Sequence, residues 1–291
     1  MGLPNTPPEP HGLIDALLPP DMAQACENVG VAKANRDPVA LLVLGILAGA
    51  FIAFGGLFST VVLSGSESLP WGTARLLAGL VFSLGLILVI VGGAELFTGD
   101  TLMVMACASD KISIARLLKV WGLVYLGNII GSLATVALVF ASGHYGYGGG
   151  LIGKTALGIA TSKAALPAMQ VLALSILCNV LVCLAVWMCF GARTITDKVM
   201  VIVPPIAAFV AAGFEHCVAN MYLLPFGLAI KYWGEPSFWS RTGLSASNYP
   251  ALTVENVIQN ISVATIGNLI GGSLLVGIVY WFVYLRPRLR A

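Results

Sequence analysis

Glu215, His216 and Asn220 lie within six positions of one another, in the stretch GFEHCVANM, and that stretch interrupts a run of residues suited to lipid. VMVIVPPIAAFVAA precedes it and YLLPFGLAI follows. In hydrocarbon each of the three polar side chains must find a partner or water. A lone membrane histidine usually serves as a helix-to-helix hydrogen bond. This one sits at a break in the apolar pattern, and an unperturbed pKa of about 6.5 makes histidine the side chain type most easily switched near neutrality. The three residues therefore read as part of a path through a membrane.

A second stretch repeats the spacing. GAELFTGDTLM at 93–103 and GFEHCVANMYL at 213–223 both place a glutamate two residues after a glycine and Asp100 or Asn220 five residues later. GNIIG at 127–131 and GNLIG at 267–271 follow in the same order. Each half of the chain holds three apolar stretches, and an odd number sends the second copy into the membrane from the opposite side. Such inverted repeats are common in transport proteins, with the substrate path at their interface. Broken backbone at that depth is tolerated only where it is buried or lines a cavity. The expected fold is an all-α integral membrane protein: six transmembrane helices in an inverted 3+3 repeat, the second and fifth discontinuous.

The composition demands a membrane protein. Charged residues make up 10% of the chain and hydrophobic ones 58%, with a mean hydropathy of +0.92, against roughly 25% charged in a soluble domain. Apolar stretches fall at 39–64, 73–108, 117–142, 166–191, 199–230 and 257–285, each meeting the need of about 20 residues for a span. The expected organisation is a cytoplasmic tail and interfacial amphipathic helix over 1–38, a six-helix channel domain over 39–285, and a cytoplasmic basic tail over 286–291. With the N-terminus inside, ten Lys and Arg fall in inner segments and five outside, which favours two cytoplasmic termini. The net charge of +2 describes topology and implies no nucleic-acid partner. MGLPNT fits the loose myristoylation pattern at Gly2, and no cleavable signal is expected. The six cysteines show no metal-ligand spacing, so no metal or cofactor is expected.

ELFTGD, CNVLVCLAVWM, GFEHCVANM and TIGNLIGG resemble the formate/nitrite transporter family, and the likeness runs from residue 15 to 286. The LLPP and YWFVYLR ends resemble its formate channels more than its nitrite channels. The resemblance implies a homopentamer in the bacterial inner membrane, each protomer aquaporin-like with its own pore. That pore has two apolar constrictions: Phe82 and Phe209 at the outer one, and Leu86, Leu96, Phe97 and Val182 at the inner one. Without the resemblance these six read as packing residues. His216 and Thr98 are implied to face a chamber between them, with Thr98 and Asn220 offering hydrogen bonds to an anion. Glu215 is expected to pair with Lys163, placed in an external loop where it attracts anions, with Asn179 near the pair. Glu95, Asp100, Asn128 and Asn268 are expected to pin the broken helices; the family often carries a small or polar residue in place of Asp100, so the resemblance also implies an inner-mouth carboxylate that alters conductance. The expected substrate is formate, moved passively or with a proton from His216; nitrite or hydrosulfide is the alternative.

Other classes fit less well. The chain lacks HExxH and GxSxG, and neighbours such as Glu215 and His216 point about 100° apart on a helix, which does not suit an acid–base pair. The absence of an NPA motif argues against a pore for water or glycerol.

Overall fold

The computed structural model describes residues 16–289, and the myristoylation pattern at Gly2 lies outside them. Among the described residues all regular structure is helical. Helix α1 (Pro19–Ala34) packs against the body of the molecule and buries Met22, Ala23, Cys26 and Glu27. Long apolar helices follow as α2 (Pro38–Leu63), α3 (Trp71–Gly92), α5 (Ile114–Ala141), α7 (Ala168–Gly191) and α11 (Val254–Leu285), and these five are long and apolar enough to cross a membrane. The short apolar helix α4 (Phe97–Ala108) follows α3. Helix α6 (Leu151–Ala164) precedes α7. The stretch expected at 199–230 is divided into α8 (Ile195–Ala211) and α9 (Cys217–Trp233), each of 17 residues. Helix α10 (Pro236–Thr242) lies in the connection to α11.

The two expected discontinuities are present, and they are built alike. Gly93 and Gly213 each take φ +75°, a left-handed conformation that costs glycine little. The next N–H turns back over the helix end, Ala94 donating to Val89 O at 2.9 Å and Phe214 to Phe209 O at 3.0 Å, which satisfies a carbonyl the ending helix leaves free. The chain then extends, with Leu96 at φ −112°, ψ 120° and His216 at φ −115°, ψ 117°, before α4 and α9 begin. Both breaks are thus set by a glycine and a three-residue extended link.

Close backbone packing holds these links in place. Helix α2 runs against α5, and α7 against α11. A Cβ on Gly131 would lie 1.9 Å from Ile46 O, and one on Gly271 would lie 2.2 Å from Ile176 O. The glycines of GNIIG and GNLIG therefore let two backbones touch, as small residues commonly do between membrane helices. On the outer faces Val43, Phe54, Leu126, Ile130, Leu274 and Phe282 stay exposed, a surface suited to apolar surroundings.

Gly131→Ala should part α2 from α5, because the obstacle is backbone rather than a movable side chain. The expected cost is about 1–3 kcal/mol, read as a lower midpoint of thermal unfolding in detergent. An unchanged midpoint would show that the α2–α5 contact relaxes freely.

Candidate functional site

Each asparagine of the paired GNxxG motifs closes one break. Asn268 donates to Ser175 O at 2.8 Å and Glu215 O at 3.1 Å, and accepts the Cys217 N–H at 2.8 Å. Asn128 donates to Gly45 O at 2.8 Å and Glu95 O at 3.0 Å, and accepts the Phe97 N–H at 3.0 Å. One side chain thus serves the carbonyl before the restart, the first N–H after it and a neighbouring helix. The pinning roles expected of Asn128 and Asn268 are seen directly.

The buried Glu215 carboxylate is fully engaged. Lys163 Nζ lies 2.6 Å from Oε1, while Asn220 and Asn260 donate to Oε2 at 2.7 and 3.2 Å. Asn260 also donates to the Lys163 carbonyl at 3.1 Å. The expected Lys163–Glu215 pair forms, but two details differ. Lys163 is in the last turn of α6 rather than in a loop, because the helix continues through Ala164 before the chain turns into Pro167. Asn179 is not beside the pair: it donates to Thr98 O at 3.2 Å, Thr101 Oγ1 at 3.3 Å and Asn268 O at 2.7 Å. Its place is beneath the other break. Gly272 makes room for that network, since a Cβ there would meet Thr101 Oγ1 at 2.1 Å.

His216 joins the two breaks. It caps α9, its Nδ1 accepting the Ala219 N–H at 3.0 Å. The proton of the neutral ring is therefore on Nε2, which donates to Thr98 Oγ1 at 2.9 Å. The Thr98 hydroxyl oxygen thus serves as the acceptor in this buried contact. Phe209 stacks on the His216 ring with centroids 5.9 Å apart, and Phe82 meets Phe209 edge-on at 5.5 Å.

A cavity of about 470 Å³ reaches this point from the Lys163 side, lined by Arg75, Phe82, Lys163, Phe209, Glu215 and His216 among others. Asn220 lines it too. Leu86, Leu96, Phe97, Val182 and Thr98 do not line it and are buried behind it. His216 thus stands at the floor of a cavity shared with Phe82 and Phe209.

The first break carries its own charged cluster. Lys33, in the last turn of α1, reaches Glu95 Oε2 at 2.6 Å and Asp100 Oδ1 at 2.5 Å, and Arg36 reaches Glu95 Oε1 at 2.5 Å. Lys111 pairs with the buried Glu27 of α1 nearby. Glu95 and Asp100, expected to be structural, do fasten the first break to α1.

The pattern of the formate/nitrite transporter family matches residues 20–282. The chain belongs to that family. It is 44% identical over 273 residues to the formate channel FocA of Escherichia coli K12, covering 94% of this chain and 96% of the relative. FocA of Haemophilus influenzae is 39% identical over 264 residues, covering 90% and 93%. A solved pentameric formate channel with formate bound superposes with a TM-score of 0.82 at 44% identity, covering 85% of this chain and 98% of that one. An ion channel of the formate/nitrite transporter family gives 0.75 at 27% identity, covering 90% and 98%. The chain is accordingly a membrane channel or transporter and not an enzyme.

Two residues of this transporter's site escaped the sequence reading. Asn260 lies in an apolar helix, where an amide must be bonded to something, and that signal was available. Arg75 donates to Val210 O at 2.7 Å and Ala211 O at 3.4 Å. Its guanidinium covers the C-terminal end of α8, whose partial negative charge would otherwise face the cavity. Nothing local in the sequence points from Arg75 to that end.

Lys163→Ala should destabilise the fold by about 3–5 kcal/mol, since it strands a buried carboxylate. Lys163→Met combined with Glu215→Gln should recover most of that loss. Detergent-solubilised protein followed by thermal unfolding measures both. Equal loss in the single and double variants would show that charge pairing is not what Lys163 contributes.

Proposed function

We propose that this chain forms a pore for a small monovalent anion, with formate as its substrate. Its FocA relatives and the formate-bound structural neighbour support that substrate. The observation that carries the mechanism is His216: a ring held at the cavity floor, bonded to Thr98 of the other break. The matching clasps around Glu95 and Glu215 support the inverted repeat and aquaporin-like plan, with α4 and α9 starting from opposite faces towards one centre. Their N-terminal ends then turn partial positive charge towards the Thr98–His216 contact. By analogy with the pentameric neighbour the assembly is a homopentamer, in the inner membrane of a bacterium. The balance of lysine and arginine places the Lys33 side in the cytoplasm.

Lys163 and Arg75 draw the anion into the cavity. Beyond it the path is apolar, past Leu86, Leu96, Phe97 and Val182. Carrying a bare charge through such surroundings costs several kcal/mol. A carboxylic acid with a pKa near that of aspartate, about 3.9, is neutral in only about one molecule in a thousand at pH 7. Gaining a proton beside His216 removes most of the cost. For the ring to give that proton it must hold two, so Nδ1 must release the Ala219 N–H, a contact worth about 1 kcal/mol net. Placing a positive charge on the buried ring is a second cost, and an anion on the Thr98 side offsets it. Proton-linked passage is the favoured mode.

His216→Asn keeps an acceptor for the Ala219 N–H and a donor for Thr98, and asparagine is a good helix cap. Formate-driven internal pH change in proteoliposomes should fall by about tenfold or more in this variant, while formate current through the same protein persists. Wild-type coupling in the variant would overturn the role given to His216. Competition by nitrite in the same uptake assay tests the substrate, and a preference for nitrite would overturn formate.

A further inference from the structure

The cavity on the Lys163 side is larger than a one-carbon anion needs. Its volume of about 470 Å³ falls within the roughly 300–1,000 Å³ common for sites that enclose a whole small molecule. Leu63, Ile159, Leu166, Leu174, Phe214 and Leu223 line it, and none of these six is fully buried. Apolar side chains left open around a few polar groups are the usual make-up of a ligand site. The exposed Gly158 and Ser162 of α6 belong to the same lining, while Phe82, Phe209 and His216 form its buried end.

Three charged residues line the cavity: Arg75, Lys163 and Glu215. Lys163 is paired with Glu215, so their charges cancel and Arg75 remains. Its Nε and Nη2 donate to Ala211 O at 3.4 Å and Val210 O at 2.7 Å, and Nη1 has no hydrogen bond among the described residues. The helix end that Arg75 covers offsets only about half a charge. In the connections on this side Glu67, Lys154, Glu235, Arg241 and Glu255 are exposed and stand off the lining. Lys231 donates to Tyr249 O and Leu252 O, and with it those residues carry no net charge. One cation with an unused N–H therefore shares a cavity with an apolar wall, and two phenylalanines with centroids 5.5 Å apart stand at its end.

We infer that this cavity is a binding site for monocarboxylates with an apolar body of several carbons, such as hexanoate, which pair with Arg75, lie against the apolar wall and block formate at the phenylalanine pair. The inference rests on the conduction reading above and goes beyond it, since the anion that binds here does not follow the substrate. Formate gains only the ionic contact. Each methylene added to the chain covers more of the wall, and one that is fully buried tightens binding by about fourfold. Charge and body are both required: a neutral amide of the same length loses the pairing with Arg75, and acetate has almost no body to bury. Phe82 and Phe209 belong to the buried core, so the longer anion halts where they meet.

The experiment is formate current through a planar bilayer at neutral pH, with acetate, butyrate or hexanoate added to one side. Sidedness is read from a tag at the C-terminus, on the α1 side, where Leu285 and Met22 share one buried cluster. From the Lys163 side the concentration for half block should fall by about two- to fourfold per methylene. Hexanamide should block about tenfold more weakly than hexanoate. Arg75→Gln should weaken hexanoate block by a similar factor, measured against the variant's own formate current, and leave hexanamide unchanged. Arg75→Lys should recover part of the loss. Leu166→Ala should flatten the dependence on chain length without altering block by acetate. Block independent of chain length, hexanamide equal to hexanoate, equal block from the Lys33 side, or hexanoate block unchanged in Arg75→Gln overturns the inference and leaves formate conduction standing. Absence of formate current in the wild-type protein overturns the conduction reading instead. Calorimetric titration with hexanoate then decides the site alone, and equal binding by wild type and Arg75→Gln overturns it.

Discussion

The three hydrogen bonds made by each of Asn128 and Asn268 are the constraint on which the rest depends. Opening a helix inside a membrane leaves N–H and C=O groups that no water reaches, at several kcal/mol each. A single carboxamide meets that demand here, bridging the carbonyl of the glutamate, the first N–H of the restarted helix and the backbone of the adjoining helix. It can do so only because Gly131 and Gly271 bring the partner backbones into contact. Glycine, asparagine and break form one unit, made twice.

His216 is placed by that unit and also completes it. Its backbone is the extended residue just before α9, and its Nδ1 satisfies one of the free N–H groups of that helix. The same ring presents Nε2 to Thr98. A group that holds the backbone through one nitrogen and faces the path through the other is kept in a single orientation, at the cost of opposing its own second protonation. The buried Glu215 does not share that conflict, since a lysine and two amides satisfy both its oxygens.

Much of this was legible in the sequence because lipid penalises polar groups so heavily. A glutamate among apolar residues has to have a cation, and Lys163 was the right one. Two glycine–glutamate breaks followed by two GNxxG motifs gave the discontinuities their positions. What stayed hidden depended on distances between helices. Asn179 was placed by resemblance near the Glu215–Lys163 pair, and it bonds to Asn268, which holds the Glu215 carbonyl, as well as to Thr98 and Thr101. Arg75, the fifth residue of α3, meets the end of α8, a contact between segments far apart in the chain. Lys163 looked like loop because polar residues precede Pro167, but alanine-rich sequence continues a helix readily.

The two groups of apolar residues around His216 have different neighbours. Phe82 and Phe209 pack on each other, and Phe209 rests on His216 beside the cavity. Both rings border the cavity and also belong to the same buried core as Phe97. Phe97 is gripped edge-on by Tyr125 at 4.9 Å and by Trp121 at 6.4 Å, with Leu86, Leu96 and Val182 buried around it in the same core. Trp121 is itself fixed to the Asp100 carbonyl, and Asp100 to Lys33 of α1. A close-packed core gives way in discrete steps rather than by gradual yielding. Displacing Phe209 disturbs its contacts with Phe82 and His216, whereas displacing Phe97 also disturbs Trp121, Asp100 and the helix that Lys33 belongs to.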